Sequence, residues 1–272
     1  MEDNAKSPTA MAEACEAQLA DIREEVRRDP LLSVPLPLDK HSRLVQEVKG
    51  DEAYMTQSLS LFGASATSTK QYNFTRIRYA RRDGNCFYRC AGFRLCELIV
   101  QHPEKAPDFV ARLKSLEPLL TAMFGDFVSD FTEVLMEVIQ GVVSGKVTTT
   151  AQVYQRYTSD DGAYLIVALR YIVSAYLQEH EDDYLPFVEG LGYGTVKAYC
   201  NMEVEAVDHE SDNVQLAAFA KVLDVCLMVY GLDRNAGANV TEYSFNDENN
   251  ADGHRVTIEL LYMPGHYNLL ER

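Results

Sequence analysis

Residues 255–271 read RVTIELLYMPGHYNLLE, and the period of this stretch decides the fold. Val256, Ile258, Leu260 and Tyr262 alternate with polar or opposite-facing positions, as the side chains of a strand do. Met263-Pro264-Gly265 supplies a turn, after which His266–Leu270 forms a final strand. Working outward, Val225–Tyr230 and Val240–Phe245 are further short strands. Residues 103–180 follow a helical period almost throughout, interrupted at 144–150, and helices are also expected over 195–203 and 213–223. One early strand, Tyr72–Tyr79, runs into the polar loop Arg81–Asn85, and a helix begins at about Cys86. Helices first and strands last, with one strand early, make an α+β domain. Its sheet, mixed or antiparallel, joins early and late strands beside a helical subdomain.

The N-terminal part is organised differently. Met11, Cys15, Leu19, Ile22 and Val26 recur at helical spacing and form a single apolar stripe, with Ser7 as cap and Pro8 at the first helical position. Such a stripe either docks on the protein's own core or grips a partner. Pro30–Pro37 is extended and linker-like, so residues 1–38 read as a helix-and-linker arm and 39–272 as the main domain. Short helices are expected near Lys40–Val48 and Asp51–Leu61, and Gly63–Lys70 (GASATSTK) is small and polar, a mobile loop.

Composition narrows the partners. With 25 Lys+Arg against 41 Asp+Glu the formal charge is −16, which repels phosphate backbones and suits a basic protein surface. The start, MEDNAKSPTA, has no secretory pattern, no apolar run is long enough for a membrane span, and there is no lipidation motif. A cytoplasmic or nuclear protein is expected, with its six cysteines as reduced thiols. The cysteine and histidine spacings match no zinc pattern, so neither metal nor other cofactor is expected. The most apolar run, Tyr164–Leu177, is a core helix broken only by Arg170.

Cys86 sits at a loop-to-helix junction in DGNCFYR (83–89). A helix N-terminus favours thiolate, and Gly84 lets the preceding loop turn its N–H groups onto one point, as an oxyanion hole requires. The competing reading is a small core hydrophobe. His266 supplies a base. On a strand, Asn268 at i+2 shares its face and can orient one ring nitrogen while the other meets a thiol.

DGNCFYR and PGHYNLL (264–270) resemble the otubains, in the ovarian-tumour (OTU) family of deubiquitinating cysteine proteases. SDDGAYLIVALRYIVSAYLQ (159–178), TVKAYCNMEVEAVDHESDNVQLAAFAKVL (195–223) and the helix followed by PLLSVPLPL are similar to otubain segments in the same order, so the resemblance spans nearly the whole chain. It implies a papain-like fold of the OTU type and thiol-dependent cleavage of ubiquitin from lysine amines in polyubiquitin chains. It further implies Cys86 as nucleophile, His266 as general base, Asn268 as the residue orienting it and Asp83 as the loop aspartate. The oxyanion hole would draw on the backbone of Asp83, Gly84, Asn85 and Cys86. Ubiquitin would meet Glu205, Asp208, Glu210, Asp212, Asn213 and Gln215, although Ala206, Val207, Asn213 and Gln215 depart from the family's residues there. The arm stripe Met11, Cys15, Leu19, Ile22 and Val26 would contact a ubiquitin-conjugating (E2) enzyme or the proximal ubiquitin. The resemblance therefore carries a second, non-catalytic reading, restraint of ubiquitin conjugation through the arm.

Overall fold

A computed structural model describes residues 17–272 of the chain, apart from 19–20, 23, 249 and 251–252. Six strands form one mixed sheet: β1 (Leu36–Pro37), β2 (Arg76–Arg78), β3 (Cys226–Gly231), β4 (Thr241–Phe245), β5 (Thr257–Met263) and β6 (His266–Glu271). Their order is β1-β2-β6-β5-β3-β4, with β3 parallel to β5 and every other pair antiparallel. The early strand β2 thus lies beside the last strand β6, as expected of a sheet that joins both ends of the chain.

Among the described residues the α-helices include α1 (Arg43–Glu47), α2 (Glu52–Leu61), α3 (Cys86–Gln101), α4 (Ala106–Phe124), α5 (Ser129–Val143), α6 (Thr150–Tyr157), α7 (Asp161–Glu179), α8 (Glu181–Gly190), α9 (Val196–Tyr199) and α10 (Asn213–Leu223). Local chemistry explains several boundaries. Thr149 and Gln152 form a reciprocal capping box at α6, Asp51 caps α2, and Asp212 accepts from Val214 N and Gln215 N at the start of α10. After α9 the chain winds one turn of π-helix, Cys200–Val204. The helical run expected from the sequence ends at residue 180, so α8 is not among the expected helices; its first turn, Glu181-Asp182-Asp183, is wholly acidic and carries no apolar period.

Both faces of the sheet are covered. Val256, Ile258, Leu260 and Leu269 join the main core with α3 and α7, whereas Leu261 and Leu270 face a second cluster with Leu38, Leu44, Leu61, Phe74 and Ile77. Residues 38–79 therefore roof the far side of the sheet. That role shortens the early strand to three residues, because Tyr72 N and Phe74 N donate to Ser60 O and Leu61 O at the end of α2 instead of to a strand. Loop 63–70 is tied to the same far face. Thr69 hydrogen-bonds Asn239, and Lys70 reaches Glu242 at 2.6 Å.

Residues 30–37 are extended and also docked. Leu32 is fully buried, Ser33 N donates to Tyr79 O, and Leu36 and Pro37 pair with β2. Of the arm stripe, Met11, Cys15 and Leu19 lie outside the described residues. Ile22 is 48% exposed and Val26 half-buried. Cys86, Cys90, Cys96, Cys200 and Cys226 are free thiols, and Cys15 falls outside the described residues.

A candidate active site between the start of α3 and the start of β6

Cys86 opens α3 and is 3% exposed. Ahead of it the chain turns at Gly84 with φ +78°, in the left-handed region where glycine is favoured. Space demands glycine as well, since a Cβ there would stand 2.1 Å from the carbonyl oxygen of Asp208. Asp83 braces the loop. It makes a two-pronged ion pair with Arg89 one turn along α3, at 2.7 and 2.8 Å, and its Oδ1 also accepts the N–H of Asn85 at 3.1 Å. That N–H, one of the expected oxyanion donors, is therefore turned toward a carboxylate. The N–H groups of Cys86 and its successors lie at the helix start, where no earlier carbonyl is available to them.

The second half of the site is the start of β6. His266 follows the tight turn at Gly265, with φ +76°, and lies 3% exposed on the same strand face as Asn268. Asn268 Oδ1 accepts the N–H of Ala80 at 3.1 Å and lies 3.1 Å from His266 Nε2. A backbone N–H can only donate, so the oxygen of the amide must face it, and His266 Nε2 must then carry its proton. The lone pair is left on Nδ1, a buried atom with no hydrogen-bond partner among the described residues. Burial holds the imidazole well down, to about 4, with the Arg82 charge adding to the effect and Asn268 opposing it. The ring is a neutral acceptor at ordinary pH.

The halves meet at Tyr267, whose N–H donates to Cys86 Sγ at 3.4 Å. The sulfur thus lies against the backbone one residue past His266. Burial pushes the thiol up, and the Tyr267 N–H and the Arg89 guanidinium oppose it only in part. Burial is the largest influence on the sulfur, ahead of the N–H groups of Tyr267 and Phe87 that favour the thiolate. Sγ and Nδ1 make no hydrogen bond with each other here, and the Tyr267 N–H is the contact that links the two halves.

The strap of residues 205–211 crosses from one half to the other. Asn85 Nδ2 donates to Asp208 Oδ1 at 2.6 Å, Asp208 N donates to Asn85 Oδ1 at 3.1 Å, and Glu210 approaches Gly265. Beside the strap, Glu210, Asp212, Tyr243, Tyr262 and Tyr267 line an acidic, aromatic groove, the last two of them flanking the turn that leads to His266.

The six residues expected to meet ubiquitin divide accordingly. Glu210 and Asn213 are exposed along this groove. Asp212 also lines it, but its carboxylate caps α10 and accepts the Tyr199 hydroxyl. Glu205 accepts from Ser174, and Asp208 is engaged by Asn85. Gln215 is displaced from the expectation. It is fully buried with its oxygen on the Tyr88 hydroxyl, because it falls on the inner face of α10.

Three participants escape a motif reading. Ala80 and Tyr267 act through backbone N–H groups, which leave no mark in a sequence. Arg170, fully buried under the Gly84 loop, did leave one, as the single charge in an apolar run. Among the described residues no group of three or more His, Cys, Asp or Glu side chains could hold a metal ion, and no helix is long and apolar enough to cross a membrane.

Comparison with known proteins identifies the family. The ubiquitin thioesterase OTUB1 of Homo sapiens is 33% identical over 265 residues, covering 96% of this chain and 90% of that protein. The ubiquitin thioesterase otubain-like protein of Caenorhabditis briggsae is 31% identical over 258 residues, covering 93% and 85%. A solved complex of h/ceOTUB1 with ubiquitin aldehyde and UBCH5B~Ub superposes with TM-score 0.80 at 26% identity, over 97% of this chain and 98% of that one. The family model described as Peptidase C65 Otubain matches residues 24–272. The chain belongs to the peptidase C65 family, the otubains.

Proposed function

We propose that this protein is a thiol-dependent ubiquitin isopeptidase in which Cys86 is the nucleophile and His266 its base. One observation carries the reading. His266 is held neutral, with its Nε2 proton on Asn268 and its Nδ1 lone pair unpartnered, one residue from the N–H that touches Cys86 Sγ. Family membership supplies the substrate class, since the relatives are named ubiquitin thioesterases and a similar structure holds ubiquitin aldehyde.

In the reaction, Cys86 attacks the carbonyl of ubiquitin's C-terminal glycine while His266 Nδ1 takes the thiol proton. N–H groups at the start of α3 stabilise the oxyanion, and Asp83 with Arg89 holds the loop in shape. His266 then protonates the departing lysine amine, leaving a thioester that water resolves with His266 as base. Asn268 keeps the ring in the required tautomer throughout. The groove of Glu210, Asp212 and three tyrosines suits a basic, extended peptide arriving at the His266 turn.

A ubiquitin probe with a C-terminal electrophile tests this reading. Labelling of the wild type and none of Cys86→Ala is expected, whereas no labelling of correctly folded wild type overturns it.

The second reading is that the arm, residues 1–38, engages ubiquitin-charged E2 enzymes. Two facts support it: similar structures hold UBC13~Ub and UBCH5B~Ub, and Ile22 presents an exposed apolar side chain. Removal of residues 1–28 should abolish restraint of an E2 while Cys86→Ala keeps it, and restraint that survives the truncation refutes the idea.

A further inference from the structure

Arg170 is the one charge in the apolar run of α7, and its side chain is fully buried. Its guanidinium lies over the Tyr88 ring, 4.6 Å from the centroid, and reaches back to the segment ahead of Cys86. Nη2 donates to Gly84 O at 3.2 Å, to Asn85 Oδ1 at 2.8 Å and to His209 O at 2.8 Å, and Nη1 donates to Val204 O at 3.0 Å. One side chain therefore ties the nucleophile loop to the strap at His209 and to Val204 just ahead of it. Nε has no partner among the described residues, so the arrangement holds an unsatisfied buried donor that packing alone would not select.

The direction of these bonds matters for chemistry. In a trans peptide the C=O and the following N–H point opposite ways. By drawing the Gly84 carbonyl inward, Arg170 turns the Asn85 N–H outward, where it now rests on Asp83 Oδ1. The Asn85 side chain is held from two sides, by Arg170 and by Asp208, so the peptide cannot rotate freely.

Building on the isopeptidase reading above, we propose that Arg170 is a positioning residue for transition-state stabilisation. It fixes the Gly84–Asn85 peptide, and with it the direction in which the loop delivers the N–H groups at the start of α3 to the oxyanion. Arg170 touches neither substrate nor sulfur and acts through this peptide alone.

Ubiquitin aldehyde distinguishes this role from a merely structural one. Its hemithioacetal with Cys86 carries an oxygen in the oxyanion position, whereas free ubiquitin does not. For Arg170→Lys, aldehyde affinity should fall tenfold or more while ubiquitin affinity stays within about twofold, because only the oxyanion contact is misaimed. Asn85→Ala, which removes the side chain that Arg170 holds, should show the same selective loss to a smaller degree. Equal losses of both affinities, or no loss of either in folded protein, would overturn the assignment. Failure of the wild type to bind the aldehyde at all would instead count against the isopeptidase reading.

Discussion

His266 Nε2 and Asn268 Oδ1 lie 3.1 Å apart on one face of β6, and the same oxygen accepts the N–H of Ala80. The backbone donor fixes the amide, the amide fixes the tautomer, and the tautomer leaves the lone pair on Nδ1. Replacing Asn268 by Ala should lower kcat by roughly 10²-fold or more with the fold retained, since the ring loses both its orientation and its tautomer bias. Asn268→Asp keeps an acceptor for both N–H groups. It should stay within about tenfold of wild type and move the acid limb of the kcat–pH profile upward, because a carboxylate stabilises imidazolium. An unmoved acid limb in the active Asp variant would contradict the pairing.

Burial of His266 also makes stability depend on pH. Its folded value, about 4, lies below the ordinary histidine value of 6.5, so the unfolded chain binds more protons between these limits. The contribution is fully present above pH 6.5 and is lost as pH falls toward 4. Urea unfolding of wild type and His266→Asn at pH 6.5 and 5 should differ in slope by about 2 kcal/mol across that window. Parallel pH dependences in the two proteins would rule out the buried neutral ring.

The Cys86 thiol titrates above the ordinary cysteine range in this resting state. Its alkylation by a small neutral reagent should therefore be slow at pH 7 and rise with pH beyond that of a free thiol. A fast, pH-independent rate near neutrality would point to a standing thiolate.

Gly84→Ala places a Cβ 2.1 Å from Asp208 O on a backbone at φ +78°. The loop or the strap must move, and both bear on the site. A stability loss of about 1–3 kcal/mol by thermal or urea unfolding should accompany near-complete loss of labelling by a ubiquitin probe. Full labelling would mean that the strap yields without disturbing the loop.

Arg78 is buried between Glu271 of β6, at 2.6 Å, and Glu97 of α3, at 3.4 Å. It joins the strand bearing His266 to the helix bearing Cys86. Arg78→Met strands two buried carboxylates, with only Arg76 and Arg94 left to answer them, and should cost about 3–5 kcal/mol in urea unfolding. A loss under 1 kcal/mol would show that water or rearrangement reaches the site.

Much of this was legible along the chain because it is local. The period-two alternation of Val256, Ile258 and Leu260 marks β5, the i+2 spacing puts His266 and Asn268 on one strand face, and Gly84 announces a left-handed turn ahead of Cys86. These follow from backbone periods and steric limits that each segment obeys alone. Only the tertiary structure decided what those residues meet. It set the Ala80 N–H against Asn268 and the Tyr267 N–H against Cys86, and it turned Gln215 inward. It also dehydrated the thiol, with burial the largest influence on the sulfur. Arg170 spans both levels. A charge inside an apolar run is visible in the sequence, but its reason is three carbonyls and an amide brought together from segments up to 86 residues away. Contacts of that kind depend on chain pairing, which no local period encodes.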